Sequence, residues 1–143
     1  MDENTLIKRD KMPDWLGKMF TMIDKKDMAG AKAFLADDVD FQWAHYQLKG
    51  RDPAIKFVGG FNAQFSEYHH DIEQIWEGKS MLMFGGHLRF VIDDGTTVRT
   101  PFVNIFEMSP DGQVKIVRFQ AILSVAAFPL KYWQHLSTKD LDK

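Results

Sequence analysis

The sequence predicts one α+β domain, and three observations carry that prediction. Helical periodicity is gathered near the N-terminus, period-two alternation fills most of the rest, and three glycine-containing turns divide the alternating part into hairpins. Helices placed ahead of an antiparallel meander exclude a parallel βαβ fold, whose elements would alternate. A chain of 143 residues has the size of a single domain, and 45% hydrophobic with 27% charged residues is an ordinary balance for a packed core. The domain is expected to span 12–137, between a polar extension at 1–11 and a polar tail at 138–143.

Each element has a local reason. Trp15, Leu16, Met19, Phe20 and Ile23 follow the i, i+3, i+4 spacing of a helix with one buried face. Met28 to Leu35 reads as a short second helix, stopped at Ala36-Asp37-Asp38. Val39, Phe41, Trp43 and His45 then alternate with polar or small residues, the mark of a half-buried strand. Asp52 is an expected N-cap with Pro53 at the first position of a third helix, whose Gly59-Gly60 pair weakens it. From Tyr68, turns at Glu77-Gly78-Lys79, Asp93-Asp94-Gly95 and Ser109-Pro110-Asp111-Gly112 imply four long strands in sequential hairpins. A short helix is expected from Pro129.

Composition narrows function. A net charge of -2 without a clustered basic face gives no reason to bind nucleic acid. The absence of cysteine removes disulfides, thiolate nucleophiles and cysteine-based zinc sites. The N-terminus lacks the apolar segment of a secretory signal, no apolar run approaches membrane-spanning length, and a cytoplasmic location is expected.

Tight turns fix register, so they also sort residues between faces. With loops at Gly78-Lys79, Asp94-Gly95 and Pro110-Asp111-Gly112, His70 falls opposite His87, His87 opposite Phe102, and Asn104 opposite Arg118. One face then collects His70, Ile72, Trp76, Met83, Gly85, His87, Phe102, Asn104, Phe106, Ile116, Arg118, Gln120 and Ile122. An apolar lining with a few convergent polar groups suits a small-molecule pocket. The other face, with Leu82, Phe84, Leu88, Val103 and Ile105, is also apolar, so a homodimer packed through that outer face is expected.

Several phrases in order resemble the SnoaL-like branch of the nuclear transport factor 2-like superfamily. They are Met22-Ile23-Asp24 through Phe34 to Asp38, Leu48 to Arg51, His70-Asp71-Ile72 through Trp76, Pro101-Phe102, and Asp111-Gly112 through Arg118. The resemblance covers roughly Trp15 to Leu123. It implies a cone-shaped curved antiparallel sheet with N-terminal helices enclosing a pocket, often as a dimer. The activities it implies include cyclisation, dehydration, isomerisation and epoxide opening, and many members of the superfamily have none. Asn104 resembles an oxyanion-binding position of ketosteroid isomerases and a pocket asparagine of scytalone dehydratases. His69 or His70 resembles a dehydratase histidine. The isomerase base would fall near Gln42 or Trp43, neither of which takes a proton at neutral pH, so that chemistry is disfavoured.

The candidate catalytic residues are His70 and His87 for proton transfer, with Asn104 or Arg118 to stabilise an anion. The competing readings are satisfied core or rim histidines, and an internal ion pair of Arg118 with Asp24. Asp24, Trp43, His45, Trp76, Phe102, Phe106 and Gln120 are candidates to contact substrate, although Asp24 also reads as a helix-end cap and the aromatics as wall. No metal and no cofactor are expected. The leading expectation is an acid/base enzyme on a small apolar carbonyl compound, and the rival is a non-catalytic binding or dimerisation module.

Overall fold

The computed structural model describes residues 5–128. Chain order is β1 (Ile7–Arg9), α1 (Asp14–Asp24), α2 (Met28–Lys32), β2 (Leu35–Trp43), β3 (Tyr46–Lys49), α3 (Arg51–Asn62), β4 (Tyr68–Glu77), β5 (Met81–Val91), β6 (Thr97–Met108) and β7 (Ile116–Leu123), followed by a short 3-10 turn at Val125–Ala127. The strands form one seven-stranded sheet in the order β1-β4-β5-β6-β7-β2-β3. This is the expected α+β architecture with three additions. Ile7–Arg9, read from sequence as a polar extension, pairs with Ile75–Glu77 at one edge of the sheet. β3 returns from β2 through a two-residue turn at Ala44-His45, where Ala44 has a φ of 53°. β2 joins β7 in parallel, so the sheet is mixed instead of purely antiparallel. The helix expected from Pro129 lies outside the described residues.

α1 and α3 bury their apolar stripes on the inner face of the sheet. Leu16, Met19, Phe20 and Ile23 are buried on α1, and Ala54, Phe57 and Phe61 on α3. The aromatic rings interlock, Phe20 edge to face on Phe84 at 5.3 Å and Trp43 tilted against Phe61 at 4.9 Å. α3 begins two residues earlier than the sequence suggested. Gly50, with φ of 100°, caps it, so Asp52 lies inside the helix and Pro53 is its third residue. Asn62 closes the other end, donating from Nδ2 to the Ile23 carbonyl at 2.6 Å and so tying the ends of α1 and α3 together.

The long strands pair in the expected order, but each of the three hairpin registers differs. Gly78 N–H donates to Met81 O at 2.8 Å, which makes Lys79-Ser80 the first loop. A bulge at Glu73 then shifts the ladder by one residue, so His70 faces Leu88 and Asp71 faces His87. The second loop holds three residues, Asp93-Asp94-Gly95, with Gly95 at φ of 85°, and brings His87 opposite Pro101. The third runs 110–114, between Ser109 and Lys115, and together with an irregularity between Glu107 and Met108 it places Asn104 opposite Ala121. A slip of one residue exchanges the faces of a strand. Leu82, Phe84 and Leu88 therefore turn inward, and Met83, Gly85 and His87 outward, contrary to the face assignment made from sequence.

Candidate active site

Between the inner face of the sheet and helices α1 and α3 lies a cavity of about 30 Å³. Phe20, Trp43, Leu88, Phe102 and Phe119 supply its apolar wall, and Tyr68, His70 and Asn104 its polar groups. Its volume matches one or two water molecules. A compound of several heavy atoms therefore enters only as lining side chains move apart.

His70 is the best-defined polar group. Its Nδ1 lies 2.7 Å from Oδ1 of Asp24, and its backbone N–H donates to Oδ2 at 3.0 Å, so both oxygens of one carboxylate are engaged by one residue. Asp24 is the last residue of α1, and the bond from Asn62 to Ile23 O holds the helix end that presents it. Both side chains are about one-tenth exposed, at 11% for His70 and 10% for Asp24. A carboxylate accepts from Nδ1–H, which leaves Nε2 as the nitrogen with a free lone pair. Phe20, Tyr68 and Phe102 meet the imidazole edge to face at 4.8, 5.4 and 5.3 Å and fix its plane.

Asn104 is 3% exposed on β6, with its side chain at the cavity wall. Neither its amide nor the Tyr68 hydroxyl has a protein hydrogen bond among the described residues. Burial pushes the Tyr68 phenol well above its ordinary range, and the nearby Asp24 carboxylate adds to the shift. The hydroxyl accordingly stays protonated and remains a donor.

The structure brings together His70, Asn104, Asp24, Trp43 and Phe102 from the residues singled out by sequence. Phe106, fully buried, lies beneath them, packed on Phe84 at 5.0 Å and Phe119 at 4.6 Å. The other candidates lie elsewhere. His87 is on the outer face, its Nδ1 2.6 Å from Glu73 Oε1, because the Glu73 bulge and the three-residue loop shift β5 against its neighbours. Arg118 is also outside, 3.8 Å from Glu107, so it forms no ion pair with Asp24. Gln120 contacts Gln42 at 3.4 Å on that outer side. Trp76 turns outward below the bulge, with Lys8 Nζ 6.0 Å from its ring centroid. His45 occupies the exposed β2–β3 turn, its ring tilted against Tyr46 at 4.3 Å. Tyr68 was missed by sequence reading. Its two-residue spacing from His70 on one strand was the available signal.

A family model described as the SnoaL-like domain matches residues 16–119. The chain belongs to the SnoaL-like family. No curated protein matches it. Solved structures agree on the fold of this SnoaL-like chain. A protein of ketosteroid isomerase-like fold from Catenulispora acidiphila, solved with trimethylamine, superposes with a TM-score of 0.73 at 12% identity over 82% of this chain and 90% of that one. A candidate SnoaL-like polyketide cyclase from Shewanella putrefaciens gives 0.71 at 14% identity over 89% of each chain. The epoxide hydrolase/cyclase-like enzyme SalBIII, of pyran ring formation in the polyether salinomycin, gives 0.66 at 11% over 78% and 89%. At these identities the likeness establishes the nuclear transport factor 2-like fold, and activity has to be argued from the site. Among the described residues no helix is long and apolar enough to cross a membrane.

Proposed function

We propose that this SnoaL-like protein is a cofactor-independent acid/base enzyme of the cyclase, dehydratase or isomerase type, acting in the cytoplasm on a small, largely apolar carbonyl compound. The observation that carries the reading is the Asp24–His70 pair, at 2.7 Å, whose His70 lines a cavity together with the amide of Asn104. His70 Nε2 takes a proton from the carbon next to the carbonyl, and Asp24 stabilises the imidazolium that forms. Asn104 Nδ2 and the Tyr68 hydroxyl donate to the enolate oxygen as charge develops there. The same imidazolium then returns the proton to a different atom, or to a departing hydroxyl. The Phe and Trp walls favour a flat, apolar substrate.

The test is exchange of α-hydrogens of small cyclic and aromatic ketones with D2O, followed by proton NMR. The wild-type protein is expected to catalyse exchange. His70→Ala is expected to slow it by roughly 10²- to 10⁴-fold and Asn104→Ala by roughly 10²- to 10³-fold, with folding intact. Exchange by His70→Ala at the wild-type rate would sink this reading. Ligand binding without exchange would instead favour a binding module of the same fold. We also propose a homodimer through the outer sheet face, where the cross-strand partners Val103 and Ile122 are 39% and 53% exposed.

A further inference from the structure

His69 alternates with His70 along β4, yet its ring reaches the same carboxylate. Its Nδ1 lies 3.0 Å from Asp24 Oδ2 and its Nε2 3.3 Å from Asp71 Oδ1, while the side chain is half exposed. Asp71 is held in turn by Arg89, whose Nε and Nη2 donate to it at 2.5 and 3.2 Å. That bidentate bond keeps the Asp71 carboxyl below the ordinary carboxylate range, so it stays anionic opposite the imidazole. Arg89, Asp71, His69, Asp24 and His70 thus form one polar line from solvent to the cavity.

Asp24 is where that line matters. It ends α1, and the chain beyond it turns through Lys26 at φ of 66°. Both bonds to His70 depend on the orientation of one carboxylate, and rotation of that group toward water would loosen both. The His69 ring lies against Oδ2 from the half-exposed side, where water would otherwise compete. Placed between two carboxylates, it sets Nδ1 at ion-pair distance from Asp24 and Nε2 at ion-pair distance from Asp71. We propose that His69 is a positioning residue, which holds the Asp24 carboxylate on His70 and so keeps His70 in the Nδ1–H tautomer with Nε2 free toward the cavity. The inference rests on the reading of His70 as the proton-transfer group and specifies what orients it.

Nitrogen-15 NMR of the imidazoles in the full chain, at a pH where they are neutral, reads the tautomer directly and needs no substrate. The Nδ1–H form of His70 is expected to dominate in wild type. His69→Ala should lower the ratio of Nδ1–H to Nε2–H forms at His70 about two- to fivefold, the scale of one half-exposed polar contact. His69→Asn, whose amide nitrogen can stand where Nδ1 stands, should restore most of it, and Asp71→Asn should give a smaller fall. An unchanged ratio in folded His69→Ala overturns the proposal; should that variant not fold, an unchanged ratio in Asp71→Asn does so. Asp24→Ala separates the two readings. A tautomer that responds to Asp24→Ala but not to His69 overturns the role of His69 alone, whereas no response to Asp24→Ala removes the dyad and the proton-transfer reading with it.

Discussion

At the scale of single residues, the site depends on one carboxylate reached from two neighbouring histidines and on a buried tyrosine whose hydroxyl has no protein hydrogen bond among the described residues. Tyr68 gives a pH prediction with a definite sign. Its folded-state pKa is raised above the unfolded value of about 10, so the stability linked to it is fully present below that pH and is lost as pH rises beyond it. Phenolate absorbance from Tyr68 should therefore appear only together with unfolding. Tyr68→Phe should unfold at a higher alkaline midpoint, as followed by circular dichroism. At neutral pH the same change should alter stability by less than about 1 kcal/mol, since no protein hydrogen bond to the hydroxyl is broken among the described residues. It should nonetheless slow α-hydrogen exchange, because one donor to the enolate is lost.

At the scale of elements, the curvature that places His70 inside and His87 outside comes from the Glu73 bulge and the glycines opposite it. A Cβ on Gly86 would lie 1.9 Å from the Asp71 carbonyl oxygen, a backbone atom that cannot turn away. Gly86→Ala is expected to cost more than about 3 kcal/mol in urea denaturation, or to prevent folding. Gly60 is the control. It is exposed in α3 with nothing within 4 Å of its added Cβ, so Gly60→Ala should stabilise by about 0.5 to 1 kcal/mol in the same assay. Asn62 joins the two helix ends through Ile23 O, and its own Oδ1 is buried without a partner among the described residues. Asn62→Ala should cost about 1 to 3 kcal/mol and loosen the Asp24–His70 pair, seen as a mixed His70 tautomer.

At the scale of the whole molecule, helices cover one face of the sheet and leave Val103 and Ile122 exposed on the other. Sedimentation should show a dimer for wild type and a folded monomer for the Val103→Lys, Ile122→Lys pair; a wild-type monomer would remove the dimer proposal. The sequence by itself determined the α+β class, the first and third helices, the order of the four long strands and the inward setting of His70, Phe102, Asn104 and Phe106. Those follow from local periodicity and turn residues, which each segment carries in its own composition. Only the tertiary structure decided which side of the sheet His87, Arg118, Gln120 and Trp76 occupy. One extra residue in a loop or a single bulge reverses a strand, and neither is marked by composition. The parallel seat of β2 beside β7 and the meeting of Asp24 with His70, 46 residues apart, were likewise decided there, because distant segments meet only once the sheet has curved and the helices have packed across it.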